Sequence, residues 1–269
     1  MKELIKRTLS GIIYVLVIVL LLRTGSAGMF LLILFAGIVG LSEFYRLSYK
    51  SKYLPYRFFG SIMGILLIIL GYAVAGGFLE ENFIVLGILF LLLPVILSLF
   101  YQPSIFYGSW LSTLAGIVYV SLPLALVPFI AFIHGNYQYE IILSIFILLW
   151  IYDSFAYLVG SWIGKNRIYA EVSPKKSWEG AIGGMVFTIG GAILLSYFFE
   201  ILTLWEWIII AIITTVTGTI GDFIESGIKR TAGEKDSGRF MPGHGGVLDR
   251  FDSFLFSVPF LFMYLYICH

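Results

Sequence analysis

The fold is decided by uncharged apolar stretches, and the clearest is residues 110–133, which read WLSTLAGIVYVSLPLALVPFIAFI. An α-helix of about 20 apolar residues spans the roughly 30 Å hydrocarbon core of a bilayer. This stretch is long enough to do so, and no charged residue interrupts it. Residues 110–133 are therefore predicted to cross a membrane as a helix.

The composition extends this prediction to the whole chain. Of its 269 residues, 59% are hydrophobic and 12% are charged, and the mean hydropathy is +0.97. In ordinary soluble domains roughly a quarter of the residues are charged, so the class of soluble globular proteins is excluded. The single cysteine, Cys268, excludes an internal disulfide framework and a zinc site built from cysteines.

Uncharged apolar runs predict an all-α polytopic membrane protein with about nine transmembrane helices. The runs are Thr8–Leu22, Met29–Leu41, Phe58–Val74, Phe83–Tyr101, Trp110–Ile133, Ile141–Ile163, Gly180–Phe199, Trp207–Ile224 and Phe251–Cys268. The first two are short for a span, and Arg23 argues against one fused helix. Thr8–Leu22 is expected to be an uncleaved anchor and not a signal peptide, because further spans follow directly.

The basic residues predict the orientation of these spans. With nine alternating spans, every one of the 17 Lys and Arg residues except Arg23 falls on the side of the N-terminus. Cytoplasmic loops carry the excess of Lys and Arg in membrane proteins. The N-terminus is therefore predicted in the cytoplasm and the C-terminus outside.

Polar residues divide the chain into two regions. Residues 1–140 are predicted to form about five anchoring spans that border a lipid entrance. Residues 141–269 are predicted to form the catalytic region, because acids, bases, glycines and prolines collect in its two cytoplasmic loops, 164–179 and 225–250. The segment Glu43–Phe59 interleaves aromatic and basic residues, which predicts a helix or loop at the level of the lipid headgroups.

Carboxylates and polar neighbours gather at two cytoplasmic helix ends. They are Asp222, Glu225, Ser226, Lys229, Asp249 and Asp252. The first four share one face if the eighth span continues as a helix, and the last two lie on the first turn of the ninth span. Acids are costly near lipid and are not needed for topology, which favours a functional role. Ligands that are all oxygen suit a hard cation, and near phosphate the default is Mg²⁺.

Glycines and bases between these helix ends predict an anion site. The glycine-rich loop Arg239–Gly246 can turn backbone N–H groups inward, and the start of the ninth span adds its dipole. Lys175, Lys176 and Ser177 precede the seventh span, where a helix N-terminus again favours an anion. The bases alternatively serve only to fix the topology, and His244 contacts either a phosphate or its own loop.

The order and spacing of these residues resemble the signature of the phosphatidate cytidylyltransferases, or CDP-diglyceride synthetases, of the bacterial type. The matching positions are Asp153-Ser154, Ser173–Gly180, Ser226, Lys229-Arg230, Lys235-Asp236, Pro242, His244–Gly246, Asp249-Arg250 and Asp252. The resemblance covers most of Ile141–Phe256. Met241 departs from it conservatively, and the first 140 residues match only in being hydrophobic.

The resemblance implies a reaction and a set of partners. CTP and phosphatidic acid would give CDP-diacylglycerol and pyrophosphate, with Mg²⁺ required and a second cation left open. It also implies a homodimer in the inner, cytoplasmic membrane of a bacterial cell, with the active site facing the cytoplasm and no nucleic-acid partner. The lipid phosphate is already an oxyanion, so positioning and charge neutralisation would supply most of the catalysis.

Roles for single residues follow from the same resemblance. Asp222, Asp249, Asp252 and Lys229 are the predicted catalytic residues. Asp222 and Asp249 would hold the metal, with Asp252 a third ligand or an orienter of Arg250. The predicted substrate-binding residues are Lys175, Lys176, Ser177, Ser226, Arg230, Lys235, Asp236, His244, Gly245, Gly246 and Arg250.

Two other functions share these features. A CTP-dependent kinase of a polyprenol or phytol would use the same metal and bases but would transfer the γ-phosphoryl group. A cation-coupled transporter would use Asp153, Asp222 and Asp252 as an ion site, although no inverted repeat with broken helices is evident.

Overall fold

A computed structural model describes residues 2–98, 106–238, 240 and 245–269, and in this part of the chain the protein is all-α, without a β-strand. The α-helices are α1 (Lys2–Arg23), α2 (Ser26–Lys50), α3 (Arg57–Ala75), α4 (Leu86–Ser98), α5 (Phe106–Gly116), α6 (Leu122–Ala131), α7 (Tyr139–Ile163), α8 (Trp178–Phe198), α9 (Leu204–Thr231) and α10 (Leu248–Cys268). A 3₁₀-helix, Glu81–Val85, leads into α4. A π-helical turn, Ile117–Ser121, joins α5 to α6, where Pro123 lacks the N–H that an unbroken α-helix needs.

Seven stretches in the described part of the chain are helical, long and apolar enough to cross a membrane. They are Ser26–Lys50, Arg57–Ala75, Gly108–Ala131, Tyr139–Ile163, Trp178–Phe198, Leu204–Thr231 and Leu248–Cys268. Two shorter apolar helices are Thr8–Arg23 and Glu81–Ile96. The prediction of an all-α polytopic membrane protein is confirmed, whereas the total of nine spans and the orientation of the termini stay predictions.

The helix boundaries differ from the apolar runs where charged residues continue a helix. The predicted short span Met29–Leu41 is part of α2, which runs on through Glu43 and Arg46 to Lys50. That this part of the chain lies at the headgroup level stays a prediction, and within it Glu43 and Tyr45 are buried inside the protein. The Tyr45 hydroxyl donates a hydrogen bond of 2.9 Å to the Thr113 carbonyl, so this face of α2 packs inside the protein.

Contacts divide the chain into two compact units, and the first comprises residues 1–139, 228–251 and 269. In this unit α2, α3 and α6 pack through small residues. A Cβ at Gly71 of α3 would overlap the Ala125 carbonyl of α6, and one at Gly64 would overlap the Ser121 hydroxyl. Small residues allow such close approach in lipid, where no hydrophobic force draws helices together.

The second unit comprises residues 140–227 and 252–268. In this unit α7 and α8 approach closely, because a Cβ at Gly180 would lie 2.6 Å from the Ala156 carbonyl oxygen. Phe146 of α7 stacks on Phe254 of α10 with ring centroids 4.3 Å apart. The Thr217 hydroxyl of α9 donates a hydrogen bond of 2.8 Å to Ser257 of α10. The helices of this unit are thus held by close backbone contact, an aromatic stack and a buried hydroxyl pair.

Candidate functional site

Three carboxylates converge in the second unit, and we call Asp222, Glu225 and Asp252 the carboxylate cluster. One oxygen from each side chain lies within 4.8 Å of the other two, and in the described part of the chain no other group of acids, histidines or cysteines meets this condition. Glu225 is fully buried, whereas Asp222 and Asp252 are partly exposed. The cluster therefore faces solvent on one side and the protein on the other.

Close packing of α9 on α10 brings these carboxylates together. A Cβ at Gly221 would lie 2.7 Å from the Phe256 Cβ and 2.8 Å from the Asp252 carbonyl oxygen, so only glycine fits without a shift. One turn earlier, the Ser253 hydroxyl donates a hydrogen bond of 3.0 Å to the Gly218 carbonyl. The two helices therefore meet at the level of Asp222 and Asp252.

Two predicted substrate-binding residues lie beside the cluster. Lys176 forms an ion pair with Asp222, and both side chains are about a quarter to a third exposed (26% and 30%). The Lys176 ammonium also lies 5.0 Å from the centroid of the Phe223 ring. The Ser226 hydroxyl donates a hydrogen bond of 3.2 Å to Asp222. One carboxylate of the cluster thus has a cation and a hydroxyl already placed around it.

The loop that presents Lys176 is ordered by backbone hydrogen bonds. The Glu179 carboxylate accepts from the N–H groups of Lys165 and Asn166 at 3.1 Å each. The Ser177 hydroxyl caps α8 by accepting from the Gly180 N–H at 3.2 Å, and Ser177 is buried. Lys175 is exposed. In this structure Ser177 shapes the loop, while the two lysines occupy its surface.

Asp249 lies in the first unit and has donors of its own. One oxygen accepts the Lys229 ammonium at 2.7 Å, and the two side chains are 6% and 12% exposed, respectively. The other oxygen accepts the N–H groups of Ser237 at 2.9 Å and Gly246 at 2.7 Å. We call Glu43, Ser237, Gly246, Asp249 and Lys229 the loop network. Two residues predicted to be catalytic are thus brought together, in a setting of hydrogen-bond donors.

The remaining predicted residues lie in the predicted cytoplasmic loop 225–250. The Arg230 guanidinium donates to the Glu234 carbonyl at 3.4 Å, and Lys235, Asp236 and Arg250 are exposed. Gly245 has a φ of +86°, which other residues rarely adopt, and His244 lies outside the described residues.

Glu43 is the residue that sequence reasoning missed. It lies on α2 and is 7% exposed, and its carboxylate accepts from Val247 N–H at 3.2 Å and Leu248 N–H at 2.8 Å. The signal in the sequence is an acid that closely follows the apolar run ending at Leu41, since an acid near lipid is costly without a partner. The interleaved aromatic and basic residues around Glu43 predict an interfacial anchor instead.

The structure adds Glu225 to acids that the sequence predicts as metal ligands. Asp222 and Asp249 as ligands, with Asp252 a third ligand or an orienter of Arg250, stay a prediction, and the structure gathers Asp222 with Glu225 and Asp252.

In the described part of the glycine-rich loop, where the sequence predicts an anion site, carboxylates of the protein itself accept the backbone N–H groups. The Gly246 N–H at the end of this loop donates to the Asp249 carboxylate, and the N–H groups of Val247 and Leu248, which follow the loop, donate to Glu43.

Known proteins similar to this chain carry a cytidylyltransferase name. A phosphatidate cytidylyltransferase of Staphylococcus haemolyticus is 44% identical over 121 residues, which cover 45% of this chain and 46% of the relative. Proteins of the same name from Staphylococcus saprophyticus and Staphylococcus aureus are 44% and 43% identical over the same length and the same shares. The match thus spans about half the length of these relatives.

A family model extends the similarity over nearly the whole chain. The model of the cytidylyltransferase family matches residues 5–268, which include the second unit, most of the first unit, the carboxylate cluster and the loop network. The chain therefore belongs to the cytidylyltransferase family.

Proposed function

We propose that this protein is a phosphatidate cytidylyltransferase, which joins CTP to phosphatidic acid and yields CDP-diacylglycerol and pyrophosphate. The family and the names of the relatives support the use of CTP and of a lipid phosphate. The membrane-spanning helices suit a substrate that stays in the bilayer.

The observation that carries the proposal is the carboxylate cluster with Lys176 beside it. Three carboxylates within 4.8 Å of one another repel each other by roughly 3 kcal/mol per pair at an effective dielectric constant of about 20. Three carboxylates, the Lys176 ammonium and one divalent cation sum to zero formal charge. The donor set is all oxygen, which fits Mg²⁺ and not zinc.

We assign the Mg²⁺ to Asp222, Glu225 and Asp252, in place of the Asp222–Asp249 pair predicted from the sequence. Bound there, the cation would neutralise charge on the phosphates of CTP.

The chain's own residues would orient and neutralise the phosphates. In the proposed transfer, a phosphate oxygen of phosphatidic acid forms a bond to the α-phosphorus of CTP, and the bond to the β-phosphate oxygen breaks. The electron pair of that bond leaves with pyrophosphate. Lys176 and Lys229 would each contact a substrate phosphate, and no strong general base is needed because the attacking oxygen is already anionic.

The location of the site follows from the charge pattern and the resemblance. We propose that the N-terminus and both polar loops face the cytoplasm of a bacterial cell and that the protein lies in its inner membrane, because basic residues mark the cytoplasmic side. The expected homodimer rests on the resemblance alone.

The experiment that tests this function follows two labels. Protein purified in detergent is incubated with phosphatidic acid, a polyprenol, Mg²⁺ and CTP that is labelled at either the α- or the γ-phosphorus. We expect the α-label in a CDP-lipid and the γ-label in pyrophosphate. The γ-label in a phosphorylated polyprenol would favour a lipid kinase, and no turnover of CTP would favour the transporter.

A further inference from the structure

Glu43 supplies a helix cap that the local sequence lacks. Val247 precedes α10, and its carbonyl accepts from the N–H groups of Arg250 at 3.0 Å and Phe251 at 3.2 Å. A residue at this position usually caps the helix with a side-chain oxygen, which valine does not have. Here the Ser237 hydroxyl accepts the N–H of Asp249, a donor that such a side chain would satisfy, and the carboxylate of Glu43, from α2, accepts the N–H groups of Val247 and Leu248.

The loop is built closely around this carboxylate. A Cβ at Gly238 or at Gly246 would overlap an oxygen of Glu43, so the backbone approaches as near as glycine allows. A buried carboxylate is unfavourable unless it is well hydrogen-bonded, and here the helix N-terminus also favours a negative charge. The glycines and the donors thus both hold the Glu43 carboxylate in one position.

Ser237 connects Glu43 to Asp249. Its hydroxyl donates to Glu43 at 3.2 Å and accepts from the Asp249 N–H at 3.2 Å, and its own N–H donates to the Asp249 carboxylate at 2.9 Å. Arg46, one turn after Glu43 on α2, donates to the Ser237 carbonyl. Ser237 is fully buried. Residues of α2 therefore hold it in position through its hydroxyl and its carbonyl.

We propose that Glu43 is a positioning residue for CTP, acting through Ser237 on the Asp249–Lys229 pair. The inference rests on the proposed function, in which Lys229 contacts a phosphate of CTP. Asp249 holds the Lys229 ammonium at 2.7 Å, and Ser237 holds Asp249. Loss of the Glu43 charge therefore releases the loop and shifts Lys229 away from the place where it meets the triphosphate.

The test is the dissociation constant of CTP, measured without phosphatidic acid by equilibrium dialysis on the full chain in detergent with Mg²⁺. For Glu43→Gln we expect it to rise by about tenfold, the effect of losing a charge-assisted hydrogen bond. Ser237→Ala is expected to act in the same direction. The control Glu81→Gln removes an exposed acid of the same unit and should leave the constant unchanged.

The double variant shows whether the two residues act together. If Glu43 acts through Ser237, the double variant binds CTP about as weakly as the weaker single variant, because coupled residues are not additive. Wild-type affinity for CTP in Glu43→Gln, with only a lowered melting temperature, would overturn the proposal. A double variant whose dissociation constant rises by the product of the two single increases would overturn it as well. If Glu43→Gln does not fold, wild-type affinity in Ser237→Ala overturns it. A wild type that binds CTP but makes no CDP-lipid would refute the proposed function alone.

Discussion

The carboxylate cluster and the loop network use the same chemical group in opposite ways. In the loop network, Asp249 and Glu43 accept backbone N–H groups, and Asp249 also accepts a lysine. In the carboxylate cluster, three acids turn oxygens toward one another within 4.8 Å. The first arrangement places donors around each carboxylate, whereas the second is the one to which we assign the proposed Mg²⁺. The proposed cation ligands therefore differ from the carboxylates of the loop network in their neighbours and not in residue type.

The largest effect is expected from removing a charge of the carboxylate cluster. Asp222→Asn and Asp252→Asn should lower the rate of CDP-lipid formation by about 10³-fold, because each removes an oxygen ligand from the proposed cation site. The rate is measured at saturating CTP and Mg²⁺.

The matched control for this prediction lies on the same helix. Glu206 accepts from the Thr203 N–H at 2.6 Å and from its hydroxyl at 2.7 Å at the start of α9, and Glu206→Gln should retain the wild-type rate. A cluster variant that is as active as this control would break the distinction between the two groups of acids.

Asp249→Asn should act mainly on stability. It leaves the Lys229 ammonium buried beside an amide, and breaking a buried ion pair costs about 3 kcal/mol. The free energy of unfolding, measured by denaturant titration in detergent, should fall by this amount. Asp222→Asn, whose side chain is 30% exposed, should change it far less. Equal losses in the two variants would contradict the contrast.

Gly221 tests the packing that forms the carboxylate cluster. Gly221→Ala should cost about 1–3 kcal/mol of stability and lower the transfer rate, because the added methyl meets Phe256 and the Asp252 carbonyl. Gly190→Ala in α8 is the control, since a Cβ there meets nothing within 4 Å. If Gly221→Ala behaves like Gly190→Ala, close approach of α9 and α10 does not set the cluster.

The smallest effect on stability is expected from an exposed ion pair of the first unit. Lys50 pairs with Glu234, and the two side chains are 44% and 32% exposed. Exposed ion pairs contribute about 0–1 kcal/mol, so Lys50→Ala should shift the free energy of unfolding by less than about 1 kcal/mol. A loss as large as that of Asp249→Asn would show that the stability contributed by a carboxylate's ion pair does not depend on its exposure.

Apolar runs predicted the helices well because burial in lipid requires an unbroken apolar stretch. They failed at α2, where the prediction stopped at Leu41 and the helix continues to Lys50. Glu43 and Arg46 are tolerated there because residues almost 200 positions away satisfy them, such as Ser237. Such distant partners cannot be predicted from the neighbouring residues in the sequence.

The candidate site shows the same limit at finer scale. Asp222, Asp249 and Asp252 were all predicted from their places at helix ends, and α9 does continue through Asp222 as the shared face requires. That Asp252 of α10 lies close to Asp222 depends on how α9 meets α10 at Gly221. The sequence of one helix does not show at which level it packs against another, so this contact could be read only from the three-dimensional structure.

The most direct test of the account is the effect of Mg²⁺ on thermal unfolding of the wild type, Asp222→Asn and Asp249→Asn in detergent without nucleotide. A ligand that binds only the folded state raises the melting temperature. We predict that Mg²⁺ raises it for the wild type and for Asp249→Asn but not for Asp222→Asn. An Mg²⁺ shift that persists in Asp222→Asn and disappears in Asp249→Asn would contradict the account and place the cation at Asp249.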